Sequence, residues 1–537
     1  MDSQKLKVIL LVVLSAFAAI YLGVTAATAQ MEAIAWVAGG LSIVFVLALG
    51  KNIWLLIAAG AVLNGGLNFL PGSVPPWWLA MMVTGGIFTL RFAMRRMHEF
   101  TWRWNTMDLV ILLHIAMLAQ AFLRNPVGLS IFGGSGDGMI GGKPYIAHGI
   151  AIASYVLLSM VRTDMRMFRI AVIVMICCAF FDGMVVLMGT FIPAFAAIGI
   201  KFYSGFSFHA ATTGVGADVE EGRTVEGKEV GENLGQAAFT LFRPLSTLNP
   251  LNILGFSMMF IAVFSVMISG YRSSMGLLGV YFIVCSLIRR RFADVFASIA
   301  LGVIAICVLF FVGTDKLPKA GQRILSVLPI PGLVDEQVAE NAESSTDWRV
   351  EMWMLALTTD RYIFNKMWGD GFGMRKDEMD AVIDAAFGDK RATRGLDNQE
   401  VLMRRGSYHG FHVQTIRMTG YVGLLAVLIL LGVFWRHAWS HIQYFRGRPE
   451  WGFVLFVCVP FLIYPFYAML VFGDYRSGFP RVIIMAGFLK MLWNIRYAET
   501  KEFAYQQQLE ANEAAVQPTA RRERPVRGLP APAMRTR

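Results

Sequence analysis

Long apolar segments alternate with short basic clusters along most of the chain. Most segments have about the length, close to 20 residues, that a helix needs to cross roughly 30 Å of hydrocarbon. Within lipid, backbone groups are satisfied only in helices or closed barrels, so the pattern predicts an all-α, polytopic membrane helix bundle. The apolar runs cover residues 7–27, 33–50, 53–70, 76–94, 107–123, 145–161, 168–184, 250–270, 272–288, 293–313, 411–434, 452–472 and 478–495.

The basic clusters predict which helix ends face the cytoplasm, where Lys and Arg accumulate. Both chain ends are basic, so the number of crossings must be even, whereas thirteen runs are present. Either 185–200 is a further crossing or one run within 250–288 is re-entrant, and we therefore expect about 12–14 transmembrane helices. The internal clusters are Lys51, Arg91–Arg103, Arg162–Arg169, Arg289–Arg291 and Arg436–Arg448.

The charge pattern also predicts how the chain is divided. The loop 201–249 is slightly acidic, and the sequence leaves its side of the membrane open. The long polar stretch before residue 411 falls outside the cytoplasm and is the natural place for chemistry. The expected parts are N-terminal transmembrane helices with a connecting loop (1–240), further transmembrane helices (241–313), a large helical periplasmic loop (314–410), C-terminal transmembrane helices (411–495) and a disordered basic cytoplasmic tail (496–537).

Composition agrees with a membrane protein. Of 537 residues, 56% are hydrophobic and 16% are charged, with a mean hydropathy of +0.54, whereas soluble domains carry about 25% charged residues. The net charge of +11 is spread over short clusters, which excludes a nucleic-acid surface. The five cysteines lie in apolar runs without metal-ligand spacing. Residues 1–29 resemble a signal peptide, but their apolar stretch is long, which favours an uncleaved first span.

Four polar features at the ends of apolar runs are candidates for chemistry. Arg272 lies at a membrane boundary, where an unpaired guanidinium is costly, although it could instead extend to lipid headgroups. Arg349 and Trp353 share a helix face, and a guanidinium suits a diphosphate. The glycine-rich stretch 368–373 indicates a tight turn. His409 stands where the outer loop meets a membrane run and could accept a proton, although a lone interfacial histidine is more often structural.

Taken in order, these segments resemble the O-antigen ligase and O-antigen polymerase superfamily of membrane glycosyltransferases. The resemblance covers roughly 240–495 and implies a GT-C-like fold. It implies that Arg272 and Arg349 bind the donor diphosphate and that His409 is the catalytic base. The spacing between Arg243 and Arg272 is shorter than the family pattern. The segments are Arg243–Asn252, Ser269–Arg272, Arg349 with Trp353, Gly369–Gly373, His409–Gly410 and Gly420 with Gly423, and the further substrate-binding candidates are Arg243, His412 and Gln414.

The expected function is metal-independent transfer of a glycan from an undecaprenyl-diphosphate donor to an acceptor hydroxyl, at the periplasmic face of the bacterial inner membrane. Neither a cofactor nor a metal is expected. The acceptor is left open between a growing glycan, lipid A-core and a protein, with membrane lipids and polysaccharide-export proteins as other partners and no nucleic acid. The alternatives are a structural subunit and a transporter or flippase with Arg272, His114, His148 and Asp182 along its path.

Overall fold

A computed structural model describes residues 48–68, 74–94, 100–127, 141–207, 225–312, 336–373 and 406–516, with a few isolated positions (40, 322, 324–326, 334, 403–404). This part of the chain folds as helices joined by turns, apart from three isolated β-bridges, which confirms the all-α prediction for it. The helices are α1 (Leu55–Val62), α2 (Pro76–Ala93), α3 (Thr106–Arg124), α4 (Lys143–Met160), α5 (Met165–Phe191), α6 (Pro193–Gly199), α7 (Val225–Leu241), α8 (Ile253–Ser269), α9 (Arg272–Ile288), α10 (Phe292–Val312), α11 (Glu336–Thr358), α12 (Phe411–Tyr444), α13 (Trp451–Leu470) and α14 (Phe479–Val516).

Four of these helices, α3, α5, α12 and α13, are long and apolar enough to cross a membrane. Large apolar side chains on α3, such as Leu109, Leu112 and Leu123, are exposed along its outward side. Such a surface is rare on soluble proteins and suits contact with lipid. Helices α8 and α9 and parts of the chain around α1 and α10 are apolar but shorter. These features indicate a membrane protein.

Local sequence signals set many of the helix ends. Asn105 caps α3, and Asp108 returns the hydrogen bond to form a capping box. Asp164 accepts from the N–H of Met167 at the start of α5. Gly270 ends α8 in the left-handed conformation, where glycine is favoured. Most apolar runs that fall in the described residues therefore became helices within a few positions of their predicted bounds.

Helix α7 was not predicted, because Lys228, Glu229 and Glu232 interrupt its apolar pattern. The region left as a loop at 201–249 thus contains a bundle helix, which packs against α5, α8, α9 and α13. Its glycines recur every fourth residue and form a smooth strip along one face. A Cβ on any of them would overlap with α8 or α9, at Ser265, Val266 and Leu278 respectively; the glycines are Gly227, Gly231 and Gly235.

Three other predicted segments differ from the structure. Residues 185–200 do not form a separate crossing, since α5 continues to Phe191 and α6 spans only about 10 Å. In the run 53–70, the described residues 53–68 are helical only over α1. The tail predicted to be disordered from 496 begins as a helix, because α14 continues to Val516. The runs at 7–27 and 33–50 lie largely outside the described residues, as do 374–402 and 517–537.

Arginines gather at one end of the bundle, called here the basic end. The Arg289 guanidinium donates to the carbonyl of Thr240, close to the end of α7. Arg446 donates to the carbonyl of Ile288, and Arg448 pairs with Glu499 on α14. These contacts join the ends of α7, α9 and α12. The other end of α7 therefore lies about 25 Å away, from its 17 residues at 1.5 Å each.

Helix α12 is broken at Gly420, whose backbone (φ 77°, ψ −178°) is not helical. The 366–371 loop fills the break. Its N–H groups at Asp370 and Gly371 donate to the carbonyls of Arg417 and Met418, and its carbonyls at Lys366 and Met367 accept from the N–H groups of Tyr421 and Val422. The backbone N–H and carbonyl groups that lose their helical partners at the break are thereby hydrogen-bonded to the loop, as buried backbone groups must be. The glycines at 369, 371 and 420 all have positive φ.

Candidate functional site

One predicted site residue, His409, and one that was not predicted, Lys228, meet at Phe472, which follows α13 at the end of the bundle opposite the basic end. The ring of His409 stacks on the Phe472 ring, with 5.8 Å between centroids. The Nζ of Lys228, near the start of α7, lies 3.6 Å from the centroid of the same ring. Lys228 is almost fully buried. A cation and an imidazole are thus held around one phenyl ring.

His409 lies just before a helix, which begins where the predicted apolar run begins. Gly410 is the N-cap residue and α12 begins at Phe411. His409 itself has a positive φ of 50°, a left-handed conformation that costs a non-glycine residue roughly 1–3 kcal/mol. Such strain persists where surrounding contacts impose it, and functional sites are where it is most often found.

Helix α11 supplies those contacts. The indole Nε1 of Trp353 donates to the carbonyl of Tyr408 at 2.7 Å, and a Cβ on Gly410 would overlap with the same indole. The ring of Trp348 lies 6.3 Å from the ring of His409. Both tryptophans pack against the start of α12, because they border a cluster that includes Val413 and Ile416.

Tyr408 adjoins His409, and its phenolic hydroxyl is a second titratable group at this turn. Burial raises the pKa of Tyr408 to about 12, although the nearby Arg417 opposes the shift. A phenol with that pKa stays protonated at neutral pH and is a poor base. An imidazole exchanges its proton near neutrality, so the turn offers His409 rather than Tyr408 for proton transfer.

Arg272 lies close to this group because the turn between α8 and α9 docks on α7. The ring of Tyr271 is 5.3 Å from the Nζ of Lys228, and the hydroxyl of Ser274 donates to Glu232 at 2.7 Å. Arg272 is the first residue of α9, which has no side-chain cap. A cation at a helix N-terminus opposes the helix dipole, whereas an anion there is stabilised. The position therefore suits a guanidinium that binds an anion.

Arg349 approaches the same region from α11. The hydroxyl of Tyr467, near the end of α13, lies beside Ser273 and within electrostatic range of both Arg349 and Glu232. Arg349 is half-buried. The structure thus brings the segments of Arg272, Arg349 and His409 to one end of α13.

His412 and Gln414 are placed as supports. A ring nitrogen of His412 donates to the backbone of Met469, and its ring packs edge-on against Trp353 at 4.9 Å. The amide oxygen of Gln414 accepts from the N–H of Tyr475 at 2.9 Å. His412 holds the start of α12 to the end of α13 and Gln414 holds it to the connection between α13 and α14, and neither interaction requires a substrate.

Arg243 is not brought into this group. It lies just after α7, at the basic end, where its Nε donates to Asp294 at 2.8 Å in a two-bond pair. This partner raises the pKa of the Arg243 guanidinium. The sequence analysis placed Arg243 with the other arginines because the motif order of the superfamily that the sequence resembles includes it. In the structure, the length of α7 separates Arg243 from Lys228 by about 20 Å.

Sequence reasoning missed Lys228, Glu232 and Phe472. The first two belong to the helix that was not predicted, and Phe472 looked like the end of an ordinary apolar run. One signal was present: glycines at 227, 231 and 235 have the four-residue spacing of close-packed membrane helices. That spacing would have identified α7 and with it the two charged residues.

The residues of the transporter alternative are buried among protein groups. The rings of His114 and His148 face each other with 3.3 Å between nitrogens, and His148 contacts the carbonyl of Tyr475. Asp182 accepts from the N–H of Asn64 and the hydroxyl of Tyr203. These interactions tie helices together. Within the described residues, no group of three or more His, Cys, Asp or Glu side chains is arranged to hold a metal ion.

No protein-family model matches the sequence, and no curated protein matches it either. The motifs and their placement therefore carry the functional argument.

Proposed function

We propose that the protein transfers a glycan from an undecaprenyl-diphosphate donor to an acceptor hydroxyl at the periplasmic face of the bacterial inner membrane. The observation that carries the proposal is the meeting of His409, the Arg272 turn and the Arg349 helix around Phe472 and Tyr467. Each segment is distant from the others in sequence, and each supplies one group that the reaction needs.

The reaction divides these groups into two roles. His409 accepts the proton of the acceptor hydroxyl while that oxygen bonds to the anomeric carbon of the donor sugar. The bond from this carbon to the diphosphate oxygen breaks, and the electron pair leaves with the diphosphate. Arg272 and Arg349 stabilise the charge that develops there, since a guanidinium donates two parallel hydrogen bonds to phosphate oxygens.

The charge distribution supports the periplasmic side for this chemistry. Arginines mark the cytoplasmic ends of membrane helices, and His409 lies opposite the basic end. With α7 as a crossing, four helices join Arg169 to Arg289: α5, α7, α8 and α9. An even number lets both clusters lie on the cytoplasmic side, as the basic residues favour. With α7 added to the thirteen apolar runs, the proposed architecture is a GT-C-like bundle of about 14 crossings with α11 in its outer loop.

Three acceptors remain compatible with this site: a growing glycan, lipid A-core and a protein hydroxyl. We favour polymerase or ligase activity, because the sequence resembles the O-antigen ligase and O-antigen polymerase superfamily. Polysaccharide-export proteins would be the partners that consume a polymer product.

The test uses the purified full-length protein in lipid nanodiscs. An undecaprenyl-diphosphate oligosaccharide is supplied with each acceptor in turn, and products are identified by mass spectrometry. We expect release of undecaprenyl diphosphate together with an acceptor heavier by one glycan. If the donor stays intact with every acceptor, while the protein moves labelled donor between the leaflets of a vesicle, the chain is a flippase and the proposal fails.

A further inference from the structure

A cavity of about 320 Å³ opens beside the basic end of the bundle. It lies between the start of α3, the last turns of α12 and the middle of α14. Its volume is within the roughly 300–1,000 Å³ of small-molecule sites. His409 precedes the first turn of α12, so the cavity is separate from the candidate site. The lining residues used in the argument are Thr106, Arg436, His437, Arg496 and Tyr497.

Two arginines, Arg436 and Arg496, line the cavity, and its described lining includes no Asp or Glu. The guanidinium of Arg496 donates to the hydroxyl of Ser440 at 2.6 Å. Glu499, three residues further along α14, pairs with Arg448 instead. Among the described residues, neither lining arginine forms an ion pair with a carboxylate. The lining therefore favours an anionic group, and phosphate oxygens match the fork of a guanidinium.

A carboxylate near this wall is also paired with another cation. Asp108 lies within electrostatic range of His437, but it is buried and accepts from the ammonium of Lys490 and the hydroxyl of Tyr155. The hydroxyl of Thr106 lies 2.8 Å from the Nε2 of His437 and ties α3 to α12 at the edge of the cavity. The positive charge of the two arginines is thus not cancelled by this carboxylate.

The groups that would bind the anion are open to it. Arg436 is exposed and Arg496 is half-buried, and Tyr497 is 38% exposed. No hydrogen bond or ion pair joins the Arg436 guanidinium to another described residue. Its N–H donors are therefore available to a ligand, and binding one requires no existing contact to break.

The exposed apolar sides of α3 and α12 lead to this cavity. On α12, the exposed residues Leu425, Ile429 and Arg436 are spaced four and then seven residues apart, so they share one side of the helix. On α3, Thr106 is followed about one turn later by the exposed Leu109. The two helices pack against each other. A molecule with its anionic head on the arginines would therefore find apolar surface beside it for acyl chains, whereas a free phosphate would leave that surface unused.

Exposed aromatic side chains occur on the three elements that form the cavity. Trp104 precedes α3 by two residues and is 62% exposed, Trp439 on α12 is 47% exposed, and Tyr497 lies on α14. Trp and Tyr gather where membrane helices meet the lipid headgroups, and basic pockets between helices at that depth bind anionic headgroups. The aromatic residues therefore place the two arginines at the level of lipid phosphates.

We propose that this cavity binds an anionic glycerophospholipid, with the phosphate on Arg436 and Arg496 and the acyl chains along the exposed sides of α3 and α12. The site is separate from His409, and the proposal does not rest on transfer there. Binding is therefore measured without turnover.

The experiment is native mass spectrometry of the purified full-length protein in neutral detergent, titrated with phosphatidylglycerol or with zwitterionic phosphatidylcholine of the same acyl chains. We expect phosphatidylglycerol to bind about tenfold more tightly, since a charge-assisted contact is worth about that factor. Arg436→Gln should weaken its binding about tenfold, and adding Arg496→Gln should weaken it further. Arg291→Gln is the matched control and should change nothing, because Arg291 is also exposed at the basic end but lies outside the cavity lining.

Each other outcome overturns the proposal. Equal binding of phosphatidylcholine removes the charge requirement, and displacement of phosphatidylglycerol by an equal concentration of glycerol phosphate assigns the cavity to a soluble anion. Equal weakening in Arg291→Gln makes the effect one of net charge. Unchanged binding in Arg436→Gln, with circular dichroism showing an intact fold, places the lipid elsewhere. This single variant should fold, because the Arg436 side chain has no hydrogen bond or ion pair with a described residue to lose.

Discussion

The imidazole of His409 stacks on the phenyl ring of Phe472, with 5.8 Å between the ring centroids. Phe472 also contacts the Nζ of Lys228, so one side chain sets the position of the imidazole relative to a cation. The imidazole is further held by α11, through the bond from Trp353 to Tyr408. The ends of the apolar helices and α11 thus both determine where the imidazole lies.

His409→Asn should reduce transfer by roughly 10²–10⁴-fold, the usual contribution of a general base. Asparagine tolerates the left-handed backbone that His409 adopts, so melting temperature should hardly change. His412→Ala, which loses a packing and hydrogen-bonding residue, should be milder. Turnover is measured in nanodiscs, with donor binding scored separately. Full turnover in His409→Asn would exclude the imidazole as base.

Arg272→Lys and Arg349→Lys should each lower transfer about 10- to 100-fold, because lysine keeps the charge and loses the bidentate fork. Arg243→Lys is the matched control. It pairs with Asp294 at the basic end, and we expect nearly unchanged transfer. Protein abundance in the membrane is measured for all three. If Arg243→Lys impairs turnover as strongly as the other two, the separation of Arg243 from the site is wrong.

Lys228→Met should raise the donor KM about tenfold while leaving the fold intact, because methionine keeps the buried chain and removes a cation close to the site. Lys228→Arg should retain most of the affinity. The measurement is KM and kcat with the lipid-linked donor. An unchanged KM in Lys228→Met would mean that the lysine only packs on Phe472.

Gly420→Ala should destabilise the protein by at least about 2 kcal/mol. Its Cβ would overlap with Met367, and its φ of 77° disfavours any side chain. The loop should detach and become sensitive to protease near 366–371. Gly432→Ala is the control on the same helix, where a Cβ meets nothing within 4 Å. Melting temperature and limited proteolysis distinguish the two variants, and equal behaviour would contradict the role of the break.

Gly231→Ala should separate α7 from α8, because its Cβ would overlap with Val266 and approach the carbonyl of Ala262. We expect a lower melting temperature together with a loss of transfer, since α7 carries Lys228. Gly279→Ala on α9, where space is open, should have neither effect. A stable and active Gly231→Ala variant would show that the helices can move apart without cost.

Hydropathy predicted α8 and α9 almost to the residue, because an apolar helix in lipid begins and ends where the apolar run does. It failed for α7, whose charged residues pair inside the bundle. Glu229 binds Arg481, and Glu232 accepts from Ser274. Such partners come from helices far away in sequence, so a count of apolar residues along one segment cannot register them.

The sequence predicted part of the candidate site, namely Arg272, Arg349 and His409, but not its geometry. Arg272 and His409 were identified from their positions at run ends and Arg349 from its place in the outer loop, whereas Arg243 was grouped with them by sequence order alone. The backbone of His409 depends on Trp353, and the break at Gly420 depends on a loop some 50 residues earlier. Tertiary contacts of this kind override local helix preference, and the apolar run 411–434 gave no sign of the break.

The break in α12 has a consequence for how the protein is made. The loop that supplies its missing hydrogen-bond partners precedes the helix in the chain, so these groups are already synthesised when α12 leaves the ribosome. The backbone hydrogen bonds at the break can therefore form before α13 or α14 is made. Because buried backbone groups are not left unsatisfied, the placement of 366–371 beside Gly420 becomes a condition for the first half of α12 to settle at all.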